Sequence, residues 1–223
     1  MKKLLTGNLG YIGAIVTEVL SKSYEVIGLD SGFYNECNLK SEIHPSRQIK
    51  KDIRDIEITD LSGIDAIIHL AALSNDPLGE LNPELTNQIN FIAVKKIADL
   101  AKQAGVKRFI YASSQSMYGI SDSISELDEH DSEKKPVTEY AKTKWKAEKY
   151  LTSLNDDNFI VVCFRPSTVF GASPRLRCDI VFNNFMACAY TAGKIEIKSD
   201  GSPWRPVVHV RDVTSALLAG LNA

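Results

Sequence analysis

The chain has 223 residues, of which 44% are hydrophobic and 24% charged. That length suits one α/β domain, or one domain with a small appendage, and can bury a sizeable core. The formal net charge of -2 gives no global reason to expect nucleic acid or an anionic membrane as a partner.

Residues 2–6 are a short apolar run that reads as a buried strand. The run stops at Thr6-Gly7, far short of the apolar core of a signal peptide, and no stretch reaches membrane-spanning length. Residues 12–20 read as a helix, and residues 24–29 as a second strand ending at Asp30. A polar loop over 31–46 leads to a weak third strand at 48–50 and a clear fourth at 65–70. Residues 83–104 carry helical apolar spacing through Ile89, Ile92, Ala93, Ile97 and Leu100, with Gly105 as the stop. A fifth strand is expected at 108–112, an acidic loop at 119–137, a long helix at 138–154 and a sixth strand at 159–165. After a loop at 171–179, the pattern predicts a helix at 181–192, a short strand at 194–198 and a helix at 213–221. Alternating strands and helices favour a parallel sheet covered on both faces, with ligands bound beyond the C-terminal strand ends. Cys37, Cys163, Cys178 and Cys188 form no C-x-x-C pair. No metal site is expected, and a reduced, cytoplasmic compartment is the simpler reading.

Three motifs carry chemistry. The first, Thr6-Gly7-Asn8-Leu9-Gly10-Tyr11-Ile12-Gly13, lies between the first strand and first helix. Gly7 permits a tight turn, Gly10 a close approach of pyrophosphate, and Gly13 close packing of helix on strand. Its spacing is G-x-x-G-x-x-G, and alone it is a weak signal. Asp30 follows about 20 residues later, where a carboxylate binds ribose hydroxyls and repels a 2′-phosphate, so NAD is favoured over NADP. The second motif is Tyr140-x-x-x-Lys144. One helical turn puts both side chains on one face, and a nearby ammonium favours the phenolate that proton exchange with a hydroxyl requires. The third is the serine turn Ser113-Ser114-Gln115-Ser116 after the fifth strand. A glycine turn, a surface Asp, a Tyr–Lys pair and a solvated serine turn each have an ordinary structural explanation. His69 and His209 read as packing or turn residues.

Taken in order, these motifs resemble the extended short-chain dehydrogenase/reductase family, and within it the NAD-dependent nucleotide-sugar epimerases and dehydratases. The resemblance also rests on Asp52-Ile53-Arg54, His69-Leu70-Ala71-Ala72, Asn90, Arg165-Pro166 and the segment from Trp204 to Asp212. It implies a Rossmann-type doubly wound parallel sheet, with an NAD-binding domain over 1–170. A partial substrate lobe over 171–223 would be interleaved with it. It further implies that Gly7, Leu9, Gly10, Tyr11, Ile12, Gly13, Asp30, Asp52, Ile53, Leu70, Ala71, Ala72, Ser74, Asn90, Ser113, Tyr140, Lys144 and Arg165 hold NAD. Ser114, Tyr140 and Lys144 would be catalytic. Ser114, Arg205 and either Asn183 or Asn184 would face a UDP-, dTDP- or GDP-linked sugar. The helices over 83–104 and 138–154 would form a homodimer interface.

Gln115 and Ser116 stand where dehydratases of this family usually carry acids. Thr168 stands where an asparagine often follows the Arg-Pro pair. The chain also ends well short of typical relatives. The expected activity is therefore 4-epimerisation of a nucleotide sugar through a 4-keto intermediate. The alternatives are dehydration or another NAD-dependent oxidation, or a fragment or module that only binds the cofactor.

Overall fold

The computed structural model describes residues 1–39, 44–74, 76–120, 127–197, 199–201 and 206–222. Six parallel strands form the main sheet: β1 (Lys2–Thr6), β2 (Glu25–Asp30), β3 (Arg47–Lys50), β4 (Ala66–His69), β5 (Arg108–Ala112) and β6 (Ile160–Phe164). They lie in the order β3-β2-β1-β4-β5-β6, the doubly wound arrangement of a dinucleotide-binding fold. The chain crosses from β1 outward to β2 and later returns to place β4 on the other side of β1. The register sets Thr6 level with Leu29 and His69, His69 with Tyr111, and Tyr111 with Cys163. The C-terminal strand ends therefore finish along one edge.

Neighbouring residues on each strand serve opposite faces, because side chains alternate across a strand. Leu4, Ile67 and Phe109 enter one core with Ile97, Ala98, Ala101, Ala147 and Leu151. Those five come from α4 (Ala93–Gln103) and α5 (Glu139–Ser153). Leu5, Ile68 and Ile110 enter the other core with Val16, Leu20, Val213, Leu217 and Leu221. Here the cover is α1 (Tyr11–Leu20) and α7 (Val210–Gly220). Burial on both faces explains why β1, β4 and β5 read as continuous apolar runs.

Four elements differ from the sequence pattern. The helix expected over 83–104 is α3 (Pro83–Asn87), then a wide π turn (Gln88–Ile92), then α4. Asn90 sits in that turn, and its carboxamide accepts from Leu73 N at 2.9 Å and donates to Leu73 O at 3.0 Å. A short α2 (Asp76–Leu81) precedes it, unannounced by any periodicity. The strand expected at 194–198 is not formed over 194–197, and Lys198 lies outside the described residues. A strand needs a partner for its backbone. The pairing occurs instead between β7 (Thr168–Phe170) and β8 (Val207–His209), a separate two-stranded parallel sheet. The last helix begins at Val210, with His209 as its cap, and not at Val213. Between β7 and β8, α6 (Val181–Ala192) presents Phe182, Met186 and Tyr190 on its exposed side. No helix among the described residues is long and apolar enough to cross a membrane.

A methyl group on Gly13 would lie 2.1 Å from the Gly7 carbonyl oxygen. Gly13→Ala is therefore expected to cost about 1–3 kcal/mol by overpacking, read as a lower midpoint in urea unfolding. Burial holds His69 neutral, with its pKa lowered from 6.5 to about 3. As pH falls through that interval the unfolded chain takes up the proton and the folded chain does not, so stability is lost. The urea midpoint should fall more steeply over this interval in the native sequence than in His69→Gln. Parallel curves would show that His69 does not contribute.

Candidate active site

The glycine turn joins β1 to α1 at the centre of the sheet. Gly7 has φ +72°, and a Cβ there would lie 2.7 Å from Ala71 N. The turn is thus pressed against the segment that follows β4. Gly7 N donates to Leu29 O at 2.9 Å and Gly10 N to Gly7 O at 3.1 Å. Gly10 precedes the first turn of α1, and its side chain of hydrogen leaves the helix N-terminus open to an anion. Ile12 packs partly buried between the two apolar clusters on that side of the sheet.

Asp30 ends β2 beside this turn. Its carboxylate accepts from Leu9 N at 3.2 Å and from Gly32 N at 2.9 Å. These bonds fix it at the strand end and leave further acceptor capacity for hydroxyl donors. Asp52 follows β3, but its carboxylate is bound by Arg54 through Nε at 3.0 Å and Nη2 at 2.8 Å. Ile53 is buried in the core. Leu70 N and Ala71 N both donate to Thr6 Oγ1 at 3.3 Å. That hydroxyl also meets His69 Nδ1 at 2.9 Å. Thr6 thus links β1 to the segment carrying Ala71 and Ala72, and sequence reasoning assigned it no such part. Asn90 braces the same segment at Leu73.

Ser113 and Ser114 follow β5, 2% and 6% exposed respectively. Ser113 Oγ has no hydrogen-bond partner among the described residues. A buried hydroxyl in that state is one that a bound ligand can satisfy. The glycine cradle, the fixed Asp30 carboxylate and this free hydroxyl together fit a dinucleotide.

Ser114 opens a single 3-10 turn, Gln115–Tyr118, and its Oγ accepts from Ser116 N. Tyr140 and Lys144 lie in the first turns of α5, capped by Thr138 Oγ1 accepting from Ala141 N at 3.2 Å. α2 packs on this end: Thr138 Oγ1 donates to Asp76 Oδ1 at 2.6 Å, and Glu139 N to Glu80 Oε1 at 2.6 Å. Burial raises the Tyr140 pKa, a hydrogen bond with Ser114 lowers it, Asp76 raises it and Arg177 lowers it. Lys144 is 3% exposed and donates to Ala112 O at 2.7 Å. Its Nζ lies 4.7 Å from the Tyr111 ring centroid and 6.0 Å from that of Tyr140. Burial depresses its pKa to about 7. The structure therefore brings Ser114, Tyr140 and Lys144 together at the C-terminal ends of β5 and its neighbours. The polypeptide alone disfavours charge on both Tyr140 and Lys144.

Other expected residues are placed differently. Arg165 is committed to Glu148, with Nε at 3.0 Å and Nη2 at 2.6 Å from Oε1, and not left free for a cofactor. The cause is Glu148 itself, a carboxylate only 4% exposed, which requires a counter-charge. Tyr11 is buried, and its hydroxyl donates to Gly171 O at 2.7 Å while accepting from Asn183 Nδ2 at 3.2 Å. Asn183 also accepts from Gly171 N at 3.0 Å and donates to Arg177 O at 2.9 Å. Both side chains thus fasten the 171–177 segment over α1. Asn184 is exposed and donates to Cys178 O at 3.0 Å. Arg205 lies outside the described residues. Arg177, which no motif singled out, donates to Ser74 Oγ at 3.2 Å and pairs with Asp179. Its bond to Ser74 ties the C-terminal segment to the stretch that follows β4.

The chain is 30% identical over 92% of its length to a 3-beta-hydroxysteroid dehydrogenase of Mycolicibacterium neoaurum, covering 58% of that protein. It is 28% identical over 98% of its length to a UDP-glucose 4-epimerase of Mycolicibacterium smegmatis, covering 72% of it. The chain thus spans between about three-fifths and three-quarters of these two relatives. Among solved structures, MoeE5 in complex with UDP-glucose and NAD superposes with a TM-score of 0.84 at 29% identity. That match covers 99% of this chain and 71% of MoeE5. A family model described as the NAD dependent epimerase/dehydratase family matches residues 3–223. With the strand order, the glycine turn and the Ser114–Tyr140–Lys144 group in place, the chain belongs to the NAD dependent epimerase/dehydratase family.

Proposed function

We propose that the chain carries the NAD-binding and proton-transfer parts of a nucleotide-sugar 4-epimerase. The observation that carries this reading is Tyr140 one helical turn before the buried Lys144, whose Nζ lies 6.0 Å from the Tyr140 ring centroid, on the helix that packs against the Ser114 turn. Residues 1–170 would be the NAD-binding domain and 171–223 a partial substrate lobe. That division is not a clean cut, because α7 packs on the main sheet beside α1.

Gly7, Leu9, Gly10 and Gly13 would hold the pyrophosphate of NAD, and Asp30 the adenosine ribose. Ala71, Ala72, Ser74 and Ser113 would line the path toward Tyr140 and Lys144. NAD held there supplies a reversible two-electron acceptor and, when oxidised, a positive charge that favours the Tyr140 phenolate. Tyr140 takes the proton of the sugar C4 hydroxyl as C4 gives up its hydride, and returns a proton to O4 once the 4-keto sugar has rotated and is reduced on its other face. Ser114 orients that hydroxyl and the phenol. Lys144, held by Ala112 O, contributes positive charge beside the phenol when protonated. The turn after Ser114 has Gln115 and Ser116, so it brings no acid to protonate a leaving hydroxyl. This favours epimerisation over dehydration. The likeness to a steroid dehydrogenase supports a second reading, net oxidation, which accumulated NADH would reveal.

The substrate would be a UDP-, dTDP- or GDP-linked sugar. Asn183 acts on its side through the 171–177 segment, while Asn184 and Arg205 are the remaining candidates for direct contact. The four cysteines are unpaired, which suits a reducing, cytoplasmic setting. The faces of α4 and α5 turned from the sheet would join two copies in a homodimer.

Tyr140→Phe is expected to leave the calorimetric NAD affinity within about twofold and lower nucleotide-sugar interconversion by at least about 100-fold. Unchanged turnover would remove Tyr140 from the chemistry. No interconversion by the native sequence across a UDP-, dTDP- and GDP-sugar panel would reject the epimerase reading. Sedimentation at micromolar concentration is expected to show a dimer, and a monomer would refute the helix-pair interface.

A further inference from the structure

Arg165 leaves the end of β6 and reaches three other parts of the chain. Its bonds to Glu148 tie it to α5. Its Nη1 donates to Tyr118 Oη at 2.7 Å and to Glu129 O at 2.7 Å. The guanidinium carbon lies 5.6 Å from the Tyr118 ring centroid and 5.9 Å from that of Trp145. Planar, multidentate donation of this kind fixes direction as well as distance. Glu148 Oε2 has no partner among the described residues, so the pair is the carboxylate's main compensation for burial.

Two of these partners, Glu148 and Tyr118, lead to the active site. Glu148 follows Tyr140 and Lys144 at successive four-residue steps on one face of α5. Tyr118 is the last residue of the turn that Ser114 opens. Backbone bonds secure only the start of that turn to the β6 end, from Ser113 N to Phe164 O at 2.7 Å and from Gln115 N to Pro166 O at 3.2 Å. At the far end, the Tyr118 hydroxyl meets the same guanidinium that grips α5.

We propose that the Glu148–Arg165–Tyr118 chain is a positioning device that sets the Ser114 turn against Tyr140 on α5. Arg165 and Tyr118 then act through Ser114 and touch neither cofactor nor sugar. This rests on the reading that Ser114 and Tyr140 handle the substrate proton.

Tyr118→Phe removes one hydrogen bond and no carbon packing, so folding should survive. It is expected to lower kcat by about tenfold or more, with KM and NAD affinity held within about twofold. In a Ser114→Ala background the same change should cost less than about twofold, since coupled groups are not additive. Equal losses in both backgrounds, or a weakened NAD affinity, would overturn the proposal. A second readout needs no turnover: titration of Tyr140 by NMR on ring-labelled tyrosine, assigned with Tyr140→Phe. The Ser114 bond lowers the Tyr140 pKa, so Tyr118→Phe should move the titration upward in the native background and not in Ser114→Ala. An unmoved titration in the native background would overturn the positioning role. If the native sequence turns over no nucleotide sugar, the epimerase reading falls and the titration still decides this one.

Discussion

Gly13 sits so close to the Gly7 carbonyl, and Gly7 so close to Ala71 N, that the first turn of the chain admits no side chain at either point. This contact brings the N-terminus of α1 against the C-terminal end of β1, between β2 and β4. The consequences extend outward from there. Asp30 is fixed by the turn's own Leu9 N. The segment after β4 is held by Thr6 from beneath and by Asn90 from the side. Tyr11, one residue after Gly10, pins the 171–177 segment over the helix. A turn held by such contacts needs little ordering when a ligand arrives, which lowers the cost of binding.

The same architecture places polar groups where burial controls their charge. Lys144 is held in a site that lowers its pKa to about 7, and burial raises that of Tyr140. A positively charged ring beside Tyr140 would offset part of the penalty on its phenolate. His69 belongs to a different class. It is stacked near Phe109 and Tyr111, bonded to Thr6, and kept neutral. Its part is to join strands.

Two kinds of cover surround this centre. α2 braces the start of α5 through Asp76 and Glu80. On the other side, β7, β8 and α6 form an extension with a separate small sheet. The exposed Phe182, Met186 and Tyr190 belong to this extension, while α7 returns to the main core. The relatives described above are longer than this chain.

Much of the fold was legible in local pattern. The apolar runs of β1, β4 and β5, the helical spacing of α4 and α5, and the Gly105 stop all reflect periodicities that one segment expresses by itself. The glycine turn, the serine turn after β5 and Tyr140-x-x-x-Lys144 were visible as short-range spacings, whereas Ser114 was singled out within its turn only by the family resemblance. Other features arise between distant segments. No spacing announces that Glu148 claims Arg165, that Asn183 closes on Tyr11, or that β7 pairs with β8 in place of a strand at 194–198. Those outcomes depend on which buried charge, hydroxyl or backbone edge lacks a partner once the core has closed. The sequence by itself determined the alternation of elements and the identity of the chemical groups. Tertiary packing alone decided which of them found partners within the chain and which, like the Ser113 hydroxyl, did not, because burial penalises a polar group only according to the partners within its reach.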